Sequence, residues 1–405
     1  MAQRAMTVPP ASLLSASAVR VAANDVFARA KGDALQHWRV DLGALPACAD
    51  YVSAVIRKRY PDLSVPFHAR WRHFVFGGAD LWAEMRDGAA WRDEHARARA
   101  EFDLAITSVL LDAGAGGAWR YADSASGAIA ARSEGLALAS LRLFEWGGFS
   151  ADPSDPLRTD AEALARFDAI ELADAFQASE RNPLAGLEGR ARLLNRLAAQ
   201  VDARSDLFAR ADRPRPGGLY DVLYAQAQDG SIAAPEILEL LLEALGPIWE
   251  RRPELNGIPL GDCWPVEGLG YVPLHKLSQW LTYSLIEPLE RAGVSVTDVD
   301  GLTGLAEYRN GGLFVDIGVL LPRKPAALSL AHDVSEAFVV TWRSLTVALL
   351  DRIAPLVRER LGVGAEQFPL ARVLEGGTWA AGRALARERR GGDPPLTIIS
   401  DGTVF

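Results

Sequence analysis

Apolar side chains recur at every third or fourth position along most of the chain, the spacing that places them on one face of an α-helix. This pattern predicts helices over 79–113 (one long or two short), 160–178, 187–210, 234–251, 273–292 and 327–361. Short β-branched runs flanked by glycine, proline or aspartate predict strands over 294–299, 313–320 and 396–400. The pattern therefore predicts a mainly α protein with a few short β-strands.

The length and composition are those of a globular chain. It has 405 residues, of which 49% are hydrophobic and 23% are charged, the ordinary range for a folded protein. We expect a single large, mostly helical domain over residues 1–405. A possible subdivision lies near 212–218, where two prolines and two adjacent glycines break the helical pattern.

The balance of charge limits the classes of partner. The chain carries 43 basic and 52 acidic residues, a formal net charge of −9, whereas nucleic-acid binders normally present a positive surface. Binding to nucleic acid is therefore not expected, but a small phosphorylated substrate would need only a local basic pocket. Two cysteines, Cys48 and Cys263, are too few for a disulfide framework and indicate reduced thiols.

The sequence predicts neither export nor membrane insertion. Arg20, Asn24 and Asp25 interrupt the apolar stretch that a signal peptide would need near the N-terminus. No apolar run approaches the ~20 residues of a membrane-spanning helix. We expect a cytoplasmic protein that does not bind membranes.

Four segments combine aromatic, charged and glycine residues beyond what helix packing requires. The first, 65–82 (VPFHARWRHFVFGGADLW), places His68, Trp71 and His73 among large aromatic side chains. A metal site is not expected there, because histidines five positions apart lie about 140° from each other around a helix. The segment suits either a ligand pocket or a buried cap with hydrogen-bonded histidines.

The second segment, 260–290, carries a polar stripe along one face of a predicted helix. The stripe consists of Lys276, Gln279, Tyr283 and Glu287, at positions i, i+3, i+7 and i+11. Such a stripe is usually a solvated face. Trp280 lies beside it, however, and a Gly-Leu-Gly turn precedes it, which favours a pocket wall.

The third segment, 302–324, contains two carboxylates. Glu307 precedes Gly311 and Gly312, a pair that lets a backbone turn sharply or approach a ligand closely. Asp316 follows within an apolar run, where an unpartnered carboxylate would be costly to bury. Both are candidates for acid–base chemistry, and Asp316 has pairing with a local arginine as its alternative.

The fourth segment, 376–405, contains a basic helix in an otherwise acidic chain. Its arginines are Arg383, Arg387, Arg389 and Arg390. Arginine binds phosphate through two parallel N–H groups, so the helix is a candidate anion site. The alternative is ordinary pairing with surface acids such as Glu388.

These segments resemble a known family. The motifs VPFHARWRHF (65–74), VPLHKLSQWLTYSLIEPLE (272–290), GLTGLAEYRNGGLFVDIGVL (301–320) and PPLTIISDGTVF (394–405) are similar to those of the uracil-catabolism protein family long labelled as a domain of unknown function. The resemblance covers about residues 19–405. It implies a role in degrading uracil through its nucleotide, a route on which a ribosylurea species is an intermediate on the way to urea.

A fainter resemblance concerns the queuosine-salvage N-glycosidases, helical proteins with a DNA-glycosylase-like core. His275-Lys276-Leu277-Ser278-Gln279 and Ala306-Glu307-Tyr308-Arg309 are similar, in the same order, to two of their motifs. The resemblance implies that Lys276 holds a substrate 5′-phosphate and that Glu307 stands where the catalytic aspartate stands. Asn310-Gly311-Gly312 departs from their Val-Pro-Gln, so recognition of the base does not carry over.

Together the two resemblances imply hydrolysis of the N-glycosidic bond of a ribosylurea 5-phosphate, a small phosphorylated ribosyl substrate. Glu307, with Asp316 second, would stabilise an oxocarbenium-like sugar and activate water. The proton or hydrogen bond for the leaving urea would come from His275, Tyr308 or His73. The residues expected to bind substrate are Lys276, Arg309 and Arg383 at the phosphate and Trp71, Trp280, Tyr283, Gln279, Tyr308 and His73 elsewhere. Such a reaction requires no metal and no redox cofactor.

Two other classes stay open. The protein could be a non-catalytic partner or sensor of the ring-opening cyclohydrolase, or an amidohydrolase acting on the ureido group. The products discriminate between the enzymes, because an amidohydrolase would release ammonia and carbon dioxide and a glycosidase intact urea. Action on duplex DNA is disfavoured by the charge of −9.

Overall fold

The computed structural model describes residues 9–209 and 213–399 and is mainly α, as predicted. Over these residues its α-helices are α1 (Ala16–Lys31), α2 (Leu45–Arg59), α3 (Leu81–Gly88), α4 (Glu94–Leu110), α5 (Arg132–Glu145), α6 (Ala161–Arg166), α7 (Ala169–Ala175), α8 (Leu187–Ala203), α9 (Ser205–Phe208), α10 (Gly218–Gln226), α11 (Ala234–Leu245), α12 (Lys276–Arg291), α13 (Tyr308–Ile317), α14 (Ala337–Leu361), α15 (Leu370–Arg372) and α16 (Trp379–Arg390). The likeness to a DNA-glycosylase core stays a prediction.

The strands are short and pair mostly two by two. They are β1 (Trp38–Val40), β2 (Val75–Phe76), β3 (Ala79–Asp80), β4 (Tyr121–Ala122), β5 (Ile129–Ala130), β6 (Ser231–Ala233), β7 (Glu254–Leu255), β8 (Ile258–Pro259), β9 (Cys263–Val266), β10 (Gly270–Pro273), β11 (Ser295–Thr297), β12 (Leu320–Pro322), β13 (Ala331–His332) and β14 (Thr397–Ile398). β9 and β10 form an antiparallel hairpin, β1 pairs antiparallel with β12, and β6 pairs parallel with β11.

The chain folds into two compact units, each assembled from separate stretches of sequence. The first contains residues 9–66, 238–276 and 300–397. The second contains residues 67–209, 213–237, 277–299 and 398–399. Residues 213–218, from the segment with the expected subdivision, lie inside the second unit, whereas residue 212 lies outside the described residues.

The first unit is built around the long helix α14. Helices α1, α2 and α13 pack against α14, and α16 packs on α13. The apolar positions of α14 are buried nearly all round, as expected of a central helix. Its end is set by Gly362, which adopts a left-handed φ of 75° that glycine accommodates readily.

The second unit packs α4 against α5, α8 and α10. Helix α4 begins at the N-cap Asp93, whose carboxylate accepts the N–H of Ala96 at 2.7 Å. Its C-terminal two-thirds are buried on every face. Asp103, fully buried there, forms an ion pair with Arg215 and accepts the N–H groups of Thr159 and Gly217. One carboxylate therefore joins three separate parts of this unit.

Most helices predicted from the apolar spacing are present. Residues 79–113 form two short helices, α3 and α4, and 160–178 and 187–210 are each divided into two. Helix α12 begins at Lys276 rather than at Pro273, because Pro273 belongs to β10. The strands predicted over 294–299 and 396–400 appear as β11 and β14, with residue 400 outside the described residues.

The strand predicted over 313–320 is wrong. These residues form the second half of α13, followed by Gly318 with a left-handed φ of 88° and then by the short strand β12. Leu313 and Phe314 are apolar because they face the interior from a helix, and the glycine that ends the helix was taken for a strand flank.

Gly382 allows α16 to approach α13 closely, because a Cβ atom at this position would overlap the carbonyl oxygen of Arg309. We expect Gly382→Ala to lower the free energy of unfolding by about 1–3 kcal/mol or more, measured by urea denaturation. Gly88→Ala is the control, since nothing lies within 4 Å of its Cβ position. Equal stability of the two variants would contradict the close approach.

Candidate functional site

Glu307 occupies the N-cap of α13. Its side chain accepts the backbone N–H groups of Arg309, at 2.7 Å, and of Asn310. The residue is only 6% exposed, so both carboxylate oxygens lie inside the protein. Glutamate is not among the preferred N-cap residues, which makes this arrangement unusual for a purely structural cap.

Opposing influences act on the pKa of Glu307. Burial raises it, whereas the N–H of Arg309, the ammonium of Lys276, the N–H of Asn310 and the charge of Arg309 lower it. Burial prevails, so the pKa of Glu307 lies above its ordinary value of 4.5. A carboxyl group of this kind can exchange a proton closer to neutrality than a surface glutamate can.

Lys276 is a cationic side chain whose charge lowers the pKa of Glu307 more than that of Arg309 does. It is the first residue of α12 and is 8% exposed. Its backbone N–H donates to Asp262 Oδ2 at 3.1 Å, so Asp262 caps the start of this helix. Lys276 and Glu307, paired by the sequence analysis, thus belong to one cluster in the first unit.

Arg343 of α14 connects Asp262, which caps α12, to the residue before Glu307. Its Nη1 and Nη2 donate to Oδ1 and Oδ2 of Asp262, both at 2.7 Å. Its Nε donates to the carbonyl oxygen of Ala306 at 3.1 Å, one residue before Glu307. Burial alone would raise the pKa of Asp262, but the guanidinium outweighs it and the pKa of Asp262 is lowered. Asp262 is therefore ionised at neutral pH.

His275 precedes Lys276 with a backbone φ of 45°, in the left-handed region. Its Nε2 lies 2.8 Å from the carbonyl oxygen of Leu13, which requires the proton to be on Nε2. Burial lowers the pKa of His275, so the ring is neutral and Nδ1 carries a lone pair. In this state Nδ1 can accept a proton or hydrogen bond, whereas the role predicted for His275 was donation.

Asp316 has the local arginine partner that was its alternative. Its carboxylate receives Nη1 and Nη2 of Arg390 at 2.8 and 2.7 Å, and its carbonyl oxygen receives Arg389 at 2.6 Å. Arg389 and Arg390, from the predicted anion-binding helix, thus hold the C-terminal end of α13. Both oxygens of Asp316 are occupied by the ion pair with Arg390.

The remaining candidates of the first unit are Tyr308, Arg309 and Arg383. The guanidinium of Arg309 lies 4.6 Å from the ring centroid of Tyr308, and its Nη1 donates to the carbonyl oxygen of Gly392 at 2.9 Å. Arg383 lies over the ring of Trp379, at 5.3 Å from its centroid. Arg309 is the one of these whose charge lowers the pKa of Glu307.

Five other candidates lie in the second unit: Trp71, His73, Gln279, Trp280 and Tyr283. All five are buried, so Gln279 and Tyr283 do not belong to a solvated face. The ring of His73 lies 5.5 Å from that of Trp280, and the guanidinium of the buried Arg70 lies 5.5 Å from the Trp280 ring. Trp71 donates its indole N–H to the carbonyl oxygen of Ser284 at 2.7 Å.

An arginine of the 65–82 segment pairs with a carboxylate of the polar stripe on α12. Arg72 Nη2 donates to both carboxylate oxygens of Glu287, at 2.6 and 2.7 Å. The first and second polar segments are therefore joined within this unit.

Over residues 9–209 and 213–399, no three side chains of the metal-binding types are grouped to hold an ion. No helix in the same ranges is long and apolar enough to cross a membrane.

Sequence reasoning missed Asp262 and Arg343. Asp262 lies in a turn before β9 and Arg343 in the middle of a buried helix, 81 positions apart, so no local spacing relates them. The available signal was Arg343 itself, which lies within the apolar stretch of α14. A buried helix tolerates an arginine only when the guanidinium has a partner.

This helical protein, with a buried carboxylate at a helix start, belongs to the family described as protein of unknown function DUF1688, whose model matches residues 12–405. It is 37% identical over 407 residues to Protein urg3 of Schizosaccharomyces pombe, covering 98% of each chain. It is also 35% identical over 445 residues to Uracil catabolism protein 4 of Lachancea kluyveri, covering 99% of this chain and all of the relative. The resemblance to the family of unknown function is therefore confirmed, and the likeness to queuosine-salvage N-glycosidases stays a prediction.

Proposed function

We propose that this protein acts in uracil catabolism by hydrolysing the N-glycosidic bond of a ribosylurea 5-phosphate, giving urea and ribose 5-phosphate. The pathway is supported by the name of the Lachancea kluyveri relative, Uracil catabolism protein 4, which matches this chain over its whole length. The reaction is supported chiefly by one observation, the buried carboxylate of Glu307, whose pKa the charge of Lys276 lowers.

The chemistry suits a carboxylate in this setting. As the bond from the anomeric carbon to the urea nitrogen breaks, the sugar gains positive charge and the urea nitrogen takes a proton. A buried carboxylate stabilises that charge more strongly than one in water. It can also accept a proton from the attacking water, whose oxygen becomes the anomeric hydroxyl of ribose 5-phosphate. Passing that proton on to the urea nitrogen returns Glu307 to the carboxylate form and balances the reaction.

Lys276 suits the substrate phosphate. It offers up to three N–H donors as a compact charge, at a start of α12 that Asp262 already caps through the backbone. The phosphate would therefore bind the ammonium rather than the helix N-terminus. The proposal uses residues of the first unit alone.

The raised pKa of Glu307 predicts the acid limb of the pH profile. The carboxylate form is the active one, so kcat/KM should rise with pH through the pKa of Glu307, which lies above 4.5. In the complex, the substrate phosphate would partly neutralise Lys276, so the acid limb of kcat should lie at higher pH than that of kcat/KM. Initial rates measured from pH 4 to 8 check both statements, and an acid limb below pH 4.5 would exclude Glu307 as the titrating group.

The direct test is incubation of the purified protein with ribosylurea 5-phosphate while urea and reducing sugar are measured together. We expect both in equal amounts, with a higher kcat/KM than for unphosphorylated ribosylurea. Ammonia and carbon dioxide in their place would indicate an amidohydrolase. Binding without release would indicate a sensor or partner of the ring-opening enzyme, and either outcome would overturn the proposal.

A further inference from the structure

We propose that Arg343 and Asp262 are positioning residues that fix the position of Lys276 relative to Glu307. Neither residue belongs to the cluster that would touch substrate. The significance of this pair for catalysis rests on the proposed function, whereas its effect on the geometry does not.

Asp262 holds the residues that lead into α12 with both its backbone and its side chain. Its carbonyl oxygen accepts the N–H groups of Leu274 and His275, at 2.9 and 3.1 Å. Its carboxylate accepts the N–H of Lys276 at 3.1 Å and the indole N–H of Trp264 at 2.8 Å. Three successive residues, including the left-handed His275, are therefore fixed by one aspartate.

Arg343 fixes the segment that leads to Glu307. It is 1% exposed, and its three nitrogens make two hydrogen bonds to Asp262 and one to the carbonyl oxygen of Ala306. Ala306 is bonded directly to Glu307, whose own N–H donates to the carbonyl oxygen of Leu305 at 2.9 Å. A planar guanidinium with donors on two edges can join the two segments, whereas a lysine ammonium cannot reproduce this geometry.

The Arg343 side chain of this ion pair is buried, and that of Asp262 is 24% exposed. Replacing a buried ion pair by packed apolar residues is often neutral or stabilising, so such a pair is weak evidence for a role in stability. Here Asp262 accepts the N–H groups of Leu274, His275 and Lys276, and Arg343 joins Asp262 to the residue before Glu307. The arrangement is that of a support that fixes the separation of two functional side chains.

The test uses substitutions that preserve charge, so that only geometry changes. Arg343→Lys and Asp262→Glu should let Lys276 withdraw from Glu307, which would raise the pKa of Glu307 further, by about one pH unit. This pKa can be measured by NMR titration of protein carrying ¹³C-labelled glutamate carboxyl groups. The signal of Glu307 is identified by its absence in Glu307→Gln.

A matched control exists on the same helix. Arg358 of α14 forms an ion pair with Asp300 at 2.7 Å, and Asp300 accepts the N–H of Leu370 at the start of α15. Arg358→Lys and Asp300→Glu should leave the titration of Glu307 unchanged. In a Lys276→Met background, Arg343→Lys should add no shift, because the charge that it would displace is already absent.

The outcomes separate this inference from the proposed function. An unchanged Glu307 titration in both Arg343→Lys and Asp262→Glu, or the same shift in the Lys276→Met background, would overturn the inference whatever the substrate. If the wild type releases urea from ribosylurea 5-phosphate, both variants should also lose kcat/KM by about 10²-fold, as expected for misplaced groups. A wild type without turnover would overturn the proposed function and leave the titration result standing.

Discussion

Glu307→Gln is expected to lower kcat for ribosylurea 5-phosphate by about 10²–10⁴-fold, the usual contribution of an acid–base group. Glutamine has nearly the same shape as glutamate but cannot carry the negative charge that would stabilise the sugar or take a proton from water. The measurement is urea release under saturating substrate, with KM determined in parallel. Because the proposal assigns the substrate phosphate to Lys276, which this substitution leaves in place, KM should change much less than kcat.

The fold should survive this substitution. The amide oxygen of glutamine can still accept one of the N–H groups that Glu307 receives from Arg309 and Asn310. The loss of stability should stay within the range of a weakened N-cap, about 0.5–2 kcal/mol. Full turnover in a folded Glu307→Gln protein would remove Glu307 from the mechanism.

Asp316→Asn is the matched control for the carboxylate. Asp316 lies on the same helix, but its two oxygens are held by Arg390 at 2.8 and 2.7 Å. We expect a stability loss from the broken ion pair and a change in kcat of less than about threefold, because both oxygens of Asp316 are already engaged by Arg390. The opposite result, with Asp316→Asn inactive and Glu307→Gln active, would exchange the two assignments.

The largest expected effect on stability concerns Asp103. Asp103→Ala should lower the free energy of unfolding of the second unit by about 3–5 kcal/mol, because it leaves the guanidinium of Arg215 buried without its carboxylate. It also deprives the N–H groups of Thr159 and Gly217 of their acceptor. Urea denaturation followed by circular dichroism measures the loss.

An exposed ion pair provides the comparison for this prediction. Asp25 and Arg29 form an i,i+4 pair at 3.2 Å with half-exposed side chains. Asp25→Ala should cost no more than about 1 kcal/mol. If Asp103→Ala proved as mild as Asp25→Ala, the buried carboxylate would not be what joins α4 to the 213–218 segment.

The sequence was most informative where the interaction is local. The helical period located α4, α8, α11, α12 and α14, since each buries one or more faces at a spacing visible along the chain. It misassigned 313–320, where two glycines and an apolar run conceal a ten-residue helix that begins with a glutamate cap. A cap of that type has no strong sequence signal.

Long-range contacts explain the other limits of the prediction. The proline- and glycine-rich segment near 212–218 reads as a linker, yet Arg215 and Gly217 are bound by Asp103 from more than 100 positions earlier in the chain. Glu307 and Lys276, in contrast, could be proposed from their motifs. The Arg343–Asp262 pair that connects them could not, because its members are related by the tertiary fold alone.

The two native thiols have a practical consequence for spectroscopy. Cys48 and Cys263 are both buried in the first unit, where burial raises the pKa of Cys48 to about 12 and the pKa of Cys263 further still. Since the thiolate is the form that reacts with maleimides, neither would compete for a label. A cysteine introduced at the exposed Val21 of α1 or Ile170 of α7 would carry a fluorophore or spin label at a single site, without removal of the native cysteines.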